Sequence, residues 1–293
     1  GRSRHRRQPV ARPLPRPVTL GRTADPFRKT QARAAMMPPS LKHSLLALGL
    51  AALSACGGGG GHPYGIPSQF GDAKPIDWKG KVPAHYPVHG VDVSRYQGEV
   101  DWPVAAASGV SFAFIKATEG AEIADPMFDA NWARTAQAGI PRGAYHFVYW
   151  CRPWQEEMAW FEQNVPVDPD ALPPVLDVEA TPESRTCKRT LTPETAIPEM
   201  QLMLQEMERH YGKRPVIYTT VDFYEAILAG GALTEYPIWV RSTKHRPHVR
   251  YGSRKWHFWQ YQSDGAVPGI VGKVDRNVFH GSAKEWQTWL ASN

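Results

Sequence analysis

Two carboxylic acids stand two residues apart at the end of an apolar run, Pro173-Pro174-Val175-Leu176-Asp177-Val178-Glu179. A strand of period two puts Asp177 and Glu179 on one face and turns Leu176 and Val178 to the other. Their Cα atoms are then about 6.5 Å apart. Two carboxyls so close cannot both ionise easily, so one holds a proton near neutrality, which is what a general acid for glycoside cleavage requires. A salt-bridged pair at a strand end and a carboxylate cluster for a divalent metal are the competing readings. Metal barrels usually add His ligands, and His146 is the only His clearly on a strand near the same end, so no metal and no cofactor is expected. Other apolar runs bring Asp92, Glu119 and Asp275 to comparable positions. Aromatics crowd the same strand ends and loops, among them Tyr96, Tyr145, Tyr149, Trp150, Tyr218, Trp239, Trp256, Trp259 and Tyr261. Many belong to a core, but the surplus fits sugar binding, where rings stack on pyranose faces while acids and amides hold hydroxyls. No Ser-His-Asp order, CxxC pair or phosphate-cradling Gly loop accompanies them.

Eight short apolar runs must position these residues: 88–94, 112–117, 143–149, 174–179, 215–219, 237–241, 257–262 and 274–279. Helical patterns follow the first five, over 102–108, 126–138, 154–164, 193–211 and 222–228, with apolar residues at i, i+3 and i+4. The fourth is the clearest, with Thr192 as N-cap, Pro193 in the first turn and Gly212 just past the end. Strand–helix alternation implies parallel strands with helices outside, and eight such strands suit a barrel better than an open sheet. The acids would then converge at one mouth, where the loops after the strands gather. The sixth and seventh runs lack convincing helices after them. Segment 242–255, rich in Arg, His and Lys, reads as a long loop, either a solvated insertion or a grip for anionic polymers. A last helix over 283–290 closes the domain. The expected fold is α/β: an irregular TIM-like barrel of five β/α units followed by three strands, spanning 88–293.

The chain of 293 residues carries a formal net charge of +6, which invites a nucleic-acid reading until the charges are located. Residues 1–36 hold ten basic side chains and one acid, a net +9, which leaves −3 for the remainder. No nucleic-acid partner is expected. Residues 1–35, rich in Arg and Pro, read as a disordered or upstream segment, and Met36 or Met37 as a natural start. Lys42, the apolar run Leu45–Leu53 and the small residues after it have the layout of a secretory signal over 36–55, too short to span a membrane. Leu53-Ser54-Ala55-Cys56 resembles the lipobox of bacterial lipoproteins, in which the Cys becomes the acylated first residue; ordinary secretion with an incidental Cys is the alternative. Residues 56–87 read as tether and linker, beginning with the run Gly57–Gly61. A lipid on Cys56 implies a membrane partner and an exported chain, and Gly57 behind it resembles sorting to an outer membrane or its periplasmic face. Cys151 and Cys187 remain, an even pair that is either bridged or two free thiols.

The ordered set Gly90-Val91-Asp92-Val93-Ser94, Tyr96-Gln97-Gly98, Asp101-Trp102, Phe112 to Gly120 (FAFIKATEG), Gly143-Ala144-Tyr145-His146-Phe147, Leu176-Asp177-Val178-Glu179, Ile217-Tyr218-Thr219, Trp259-Gln260-Tyr261 and Val274-Asp275-Arg276-Asn277 resembles the family 25 glycoside hydrolases. These are N-acetylmuramidase lysozymes, and the likeness runs over roughly 88–280. The resemblance implies an irregular barrel acting on peptidoglycan at the β-1,4 bond between N-acetylmuramic acid and N-acetylglucosamine. It implies Glu179 as general acid and Asp177 as the group that stabilises positive charge or orients the 2-acetamido group. Asp92, Glu119 and Asp275 would complete an acidic floor; Tyr145, Tyr218, Trp239 and Gln260 would bind the sugar. A monomer is expected. A wall-binding barrel that no longer catalyses, and a hydrolase of another acetamido-sugar polymer, are the alternatives. The i, i+2 spacing does not choose between stereochemical outcomes. Segment 242–255, the two cysteines and the lipoprotein-like start depart from the family's core pattern.

Overall fold

Eight strands close on themselves around an aromatic interior in the computed structural model, which describes residues 65–72, 76, 78, 80 and 82–293. The segments read as upstream residues, signal, Cys56 and Gly57–Gly61 lie outside the described residues. In chain order the strands are β1 (Gly71–Asp72), β2 (His89–Val93), β3 (Phe112–Glu119), β4 (Ile123–Ala124), β5 (Arg142–Phe147), β6 (Val175–Val178), β7 (Val216–Thr219), β8 (Ile238–Arg241), β9 (Phe258–Ala266) and β10 (Val274–Phe279). The barrel runs β2-β3-β5-β6-β7-β8-β9-β10 and closes where β10 pairs with β2. β1 extends β9 at an edge, and β4 folds back on the end of β3.

The helices are α1 (Trp102–Ala107), α2 (Phe128–Gln137), α3 (Trp154–Asn164), α4 (Pro193–Tyr211), α5 (Val221–Phe223, continued by a π-turn over Tyr224–Leu228), α6 (Pro247–Tyr251) and α7 (Ala283–Ser292). Their starts and stops follow from local chemistry. Asp101 accepts a hydrogen bond from the Val104 amide at 3.1 Å, with Pro103 in the first turn of α1. Gly212 ends α4 in the left-handed region at φ 66°, where a side chain would be strained. α4 buries Ala196, Met200, Met203, Leu204 and Met207, a stripe at helical spacing.

Two cores result. Leu176, Val178, Ile217 and Val240 turn outward and pack under the helices, while Phe112, Phe114, Val175, Val216, Phe258 and Phe279 fill the interior. Gly90 and Gly143 make room for that filling: a Cβ would stand 2.6 Å from the Phe112 ring at Gly90 and 2.9 Å from the Phe114 ring at Gly143. Trp286 of α7 packs on Phe112 and Phe279, with ring centroids 5.4 and 5.1 Å away, and stops the end away from the acids.

The barrel with five helix-connected strands stands as the sequence implied, with three differences. β10 runs antiparallel to both neighbours, so uniform parallelism fails at the last strand. Only residues 267–273 link it to β9, too few for the crossover that a parallel strand needs. Segment 242–255 is not all loop, because α6 lies within it. Nor is the described part of 56–87 a linker. Trp78 meets Trp259 edge-on at 5.0 Å, Tyr86 is buried against Trp256, and Asp72 pairs with the buried Arg276. Isolated aromatics without a period anchor this stretch, which is why no pattern announced it.

Candidate active site

Strand direction gathers the acids. Asp92 lies near the end of β2, and Asp275 near the start of β10; the reversal of β10 sets them directly opposite in register. Asp177 lies near the end of β6 and Glu179 one residue past it. All four line a single cavity of about 390 Å³ at the mouth.

Asp92 is 7% exposed and its Oδ2 accepts two hydrogen bonds, from Asn277 Nδ2 at 2.7 Å and Gln260 Nε2 at 3.0 Å. Both donors are themselves held. Trp239 Nε1 donates to Asn277 Oδ1 at 2.8 Å, and the Tyr218 hydroxyl donates to Gln260 Oε1 at 3.0 Å. The orientation of each amide is therefore set by a donor behind it. Burial pushes the Asp92 carboxyl up to about 6, against the opposing pull of the two amides. Asp275 is pushed up to about 9, first by burial and then by the neighbouring charge of Asp92.

Asp177 and Glu179 interact through their charges. Burial raises both carboxyls above the ordinary carboxylate range. Asp177, 6% exposed, is raised further by the charge of Glu179. Two such interacting carboxyls titrate as a pair rather than singly. Glu179 is half-buried at the cavity edge, with its carbonyl fixed by a 3.0 Å hydrogen bond from Trp150 Nε1.

Tyr145, Tyr218, Trp239 and Gln260 line the same cavity. Trp239 offers little ring surface: it is 2% exposed, stacked on Phe114 at 4.5 Å and meeting Tyr218 edge-on at 4.5 Å. Tyr96 is exposed at the rim. Glu119 does not line the cavity. It pairs at 2.8 Å with Lys116, which does. A bulge between Lys116 and Thr118 reverses the alternation of β3 there, leaving Lys116 on the cavity side while Thr118 bonds His146 on the helix side. His146 is fully buried, hydrogen-bonded to Thr118 and to Glu157 at 2.9 Å. Among the described residues no group of three or more His, Cys, Asp or Glu is arranged to hold a metal ion.

Three residues of the site escaped the sequence reading. Lys116 keeps the interior period of Phe112 and Phe114, and Arg241 closes the apolar run Ile238-Trp239-Val240; a charge in those positions was a signal. Asn277 stood in the quoted pattern without a role.

Cys151 and Cys187 are bridged, with Cα atoms 5.6 Å apart. A larger cavity of about 600 Å³ lies on the flank, with Glu225 as its sole acid. There Arg254 donates to the carbonyls of Leu233 and Tyr236 at 2.9 and 3.0 Å, and Arg250 is 3.8 Å from Glu225. Within segment 242–255, Arg254 thus ties backbone together.

Residues 91–270 match the pattern of Glycosyl hydrolases family 25. The chain belongs to that family. Family 25 relatives include Lysozyme M1 of Streptomyces globisporus, 37% identical over 210 residues, which cover 67% of this chain and 69% of that protein. The uncharacterized protein YegX of Escherichia coli K12 is 37% identical over 215 residues, 72% of this chain and 76% of its own length. Among solved structures, a family 25 glycosyl hydrolase from Bacillus anthracis superposes with a TM-score of 0.66 at 32% identity, covering 73% of this chain and 98% of its own. The bacterial lysozyme from Streptomyces coelicolor gives 0.63 at 34% identity, covering 70% and 97%. Membership of family 25 makes the chain a glycoside hydrolase of the lysozyme type, with peptidoglycan as its class of substrate.

Proposed function

We propose that the chain hydrolyses the β-1,4 bond between N-acetylmuramic acid and N-acetylglucosamine, with Glu179 as the general acid. The observation that carries this reading is the coupled Asp177–Glu179 pair on the wall of a cavity that also holds Asp92 and Asp275. Burial and mutual repulsion favour the protonated form of the pair, and Glu179, the more exposed member, is the one that reaches a glycosidic oxygen. As the C1–O bond breaks, that proton passes to the leaving oxygen. The carboxylates left behind face the positive charge that develops at C1, and Asp177 is placed to stabilise it or to orient the 2-acetamido group. Water then adds to C1 and its proton returns to the acid set.

The test is clearing of purified peptidoglycan by wild type and by Glu179→Gln, with the new reducing ends identified. We expect the variant to lose about 10²–10⁴-fold in rate, and wild type to release N-acetylmuramic acid ends. Wild-type rates in the variant would overturn the acid assignment; N-acetylglucosamine ends would overturn the bond specificity. We also propose export and a lipid anchor at Cys56, supported by the apolar run before it, the Leu53–Cys56 motif and a bridged cysteine pair suited to an oxidising compartment. Labelled palmitate should enter wild type and not Cys56→Ala; equal labelling would remove the anchor.

A further inference from the structure

Arg241 is the cavity cation without a hydrogen-bonded partner among the described residues, though its charge is felt by Asp92, Glu179 and Asp275. It ends β8, is half-buried, and lines the cavity with the four acids. Its guanidinium makes no hydrogen bond and no ion pair among the described residues. The other cavity cation, Lys116, is already neutralised by Glu119 at 2.8 Å. The backbone that carries Arg241 is pinned: its carbonyl accepts the Tyr251 hydroxyl at 2.6 Å, and the Ser242 amide bonds the Gln260 carbonyl at 3.0 Å. A planar fork of N–H donors is thus held at a cavity wall with its hydrogen bonds unmade, the arrangement that suits a carboxylate arriving from outside. The acids are less forbidding to an anion than their number implies, because burial holds Asp275 and Asp177 toward their neutral forms.

We infer that Arg241 receives a carboxylate borne by the muramyl unit of the glycan, and so distinguishes that unit from N-acetylglucosamine. The inference rests on the muramidase reading of the site. The two sugars differ by the 3-O-lactyl group, whose carboxylate is free on glycan without stem peptides and amidated where a peptide is attached. The anion is therefore the lactyl carboxylate itself or a carboxylate of the peptide. Arg241 then determines specificity by contact with substrate, while Glu179 performs the proton transfer.

Binding separates this inference from the reading beneath it, because a disaccharide that ends in muramic acid lacks the bond to be cut. Calorimetric titration of the whole protein would compare N-acetylglucosaminyl-β-1,4-N-acetylmuramic acid, its lactyl methyl ester, its lactyl dipeptide and diacetylchitobiose. Wild type should bind the free acid roughly 10–100-fold more tightly than the ester and the chitobiose, the worth of charge-assisted hydrogen bonds. Tightest binding of the dipeptide form instead assigns the peptide carboxylate. Arg241→Gln should collapse the preference toward unity, and Arg241→Lys should keep part of it. The ester comparison needs no variant, so a failure to fold leaves the test intact. Equal affinity of wild type for all four ligands, or a preference that survives in folded Arg241→Gln, overturns the inference. Absence of muramic acid ends from digested peptidoglycan would overturn the cleavage reading alone.

Discussion

Replacing Asn277 by Ala removes the shorter of the two hydrogen bonds on Asp92, 2.7 Å, and leaves Trp239 Nε1 without its acceptor. A hydrogen bond to a charged group contributes about 1.5–3 kcal/mol, which at 1.36 kcal/mol per pKa unit amounts to a rise of about one to two units. The donor favours the ionised form, so its loss moves the Asp92 carboxyl upward, from about 6 to about 7–8. The sign for stability follows from linkage. An acid raised above its ordinary 3.8 costs the fold stability as pH climbs from that value to the folded one, and nothing below it. In wild type this loss is complete by about pH 6; in the variant it continues to about pH 8. The gap in unfolding free energy between the two proteins should therefore widen by about 1.5–3 kcal/mol between pH 5 and 8, on top of a pH-independent cost of the orphaned indole. Urea unfolding at both pH values measures the gap, and carboxyl ¹³C titration reads Asp92 directly. The acidic limb of kcat/KM should move up in step. An equal gap at pH 5 and pH 8 would refute the reasoning.

Asp72→Ala should be costlier than a surface substitution, because Arg276 is 1% exposed and would lose its counter-ion. We expect about 3–5 kcal/mol of destabilisation, read as a Tm lowered by about 6–20 °C, with Arg276→Met in the same background restoring most of it; an unchanged Tm would show that the lead-in strand contributes little. Arg254→Ala should cost about 1–3 kcal/mol by stranding the carbonyls of Leu233 and Tyr236, with no change in sedimentation with wall material. Weaker sedimentation at unaltered Tm would favour the gripping role of the basic segment.

The strands were legible because their apolar runs are short and separated by helical periods, and each of the eight is present with boundaries moved by a few residues. Direction was not legible from composition. Alternation with helices implies parallel neighbours, and β10 broke the rule for a reason visible only in the length of the link before it. The acids were exposed by their incongruity in apolar runs, as Asp177 shows between Leu176 and Val178. The same logic applied to cations would have found Lys116 and Arg241. The roles of Gln260 and Asn277 as paired donors on Asp92 depend on contacts across 168 and 185 positions of chain, which no local pattern encodes.

That last separation bears on when the protein becomes active. The strand that carries Asp92 leaves the ribosome well before the strand that supplies Asp275 and Asn277. A nascent chain can bury aromatics and form helices, but its acid set has no far wall until the seam between β2 and β10 is sewn. Products truncated before Val274 should accordingly fail to clear peptidoglycan whatever their helix content, and clearing by such a product would show the far wall to be dispensable. The acid set is thus completed only once β10 has been made.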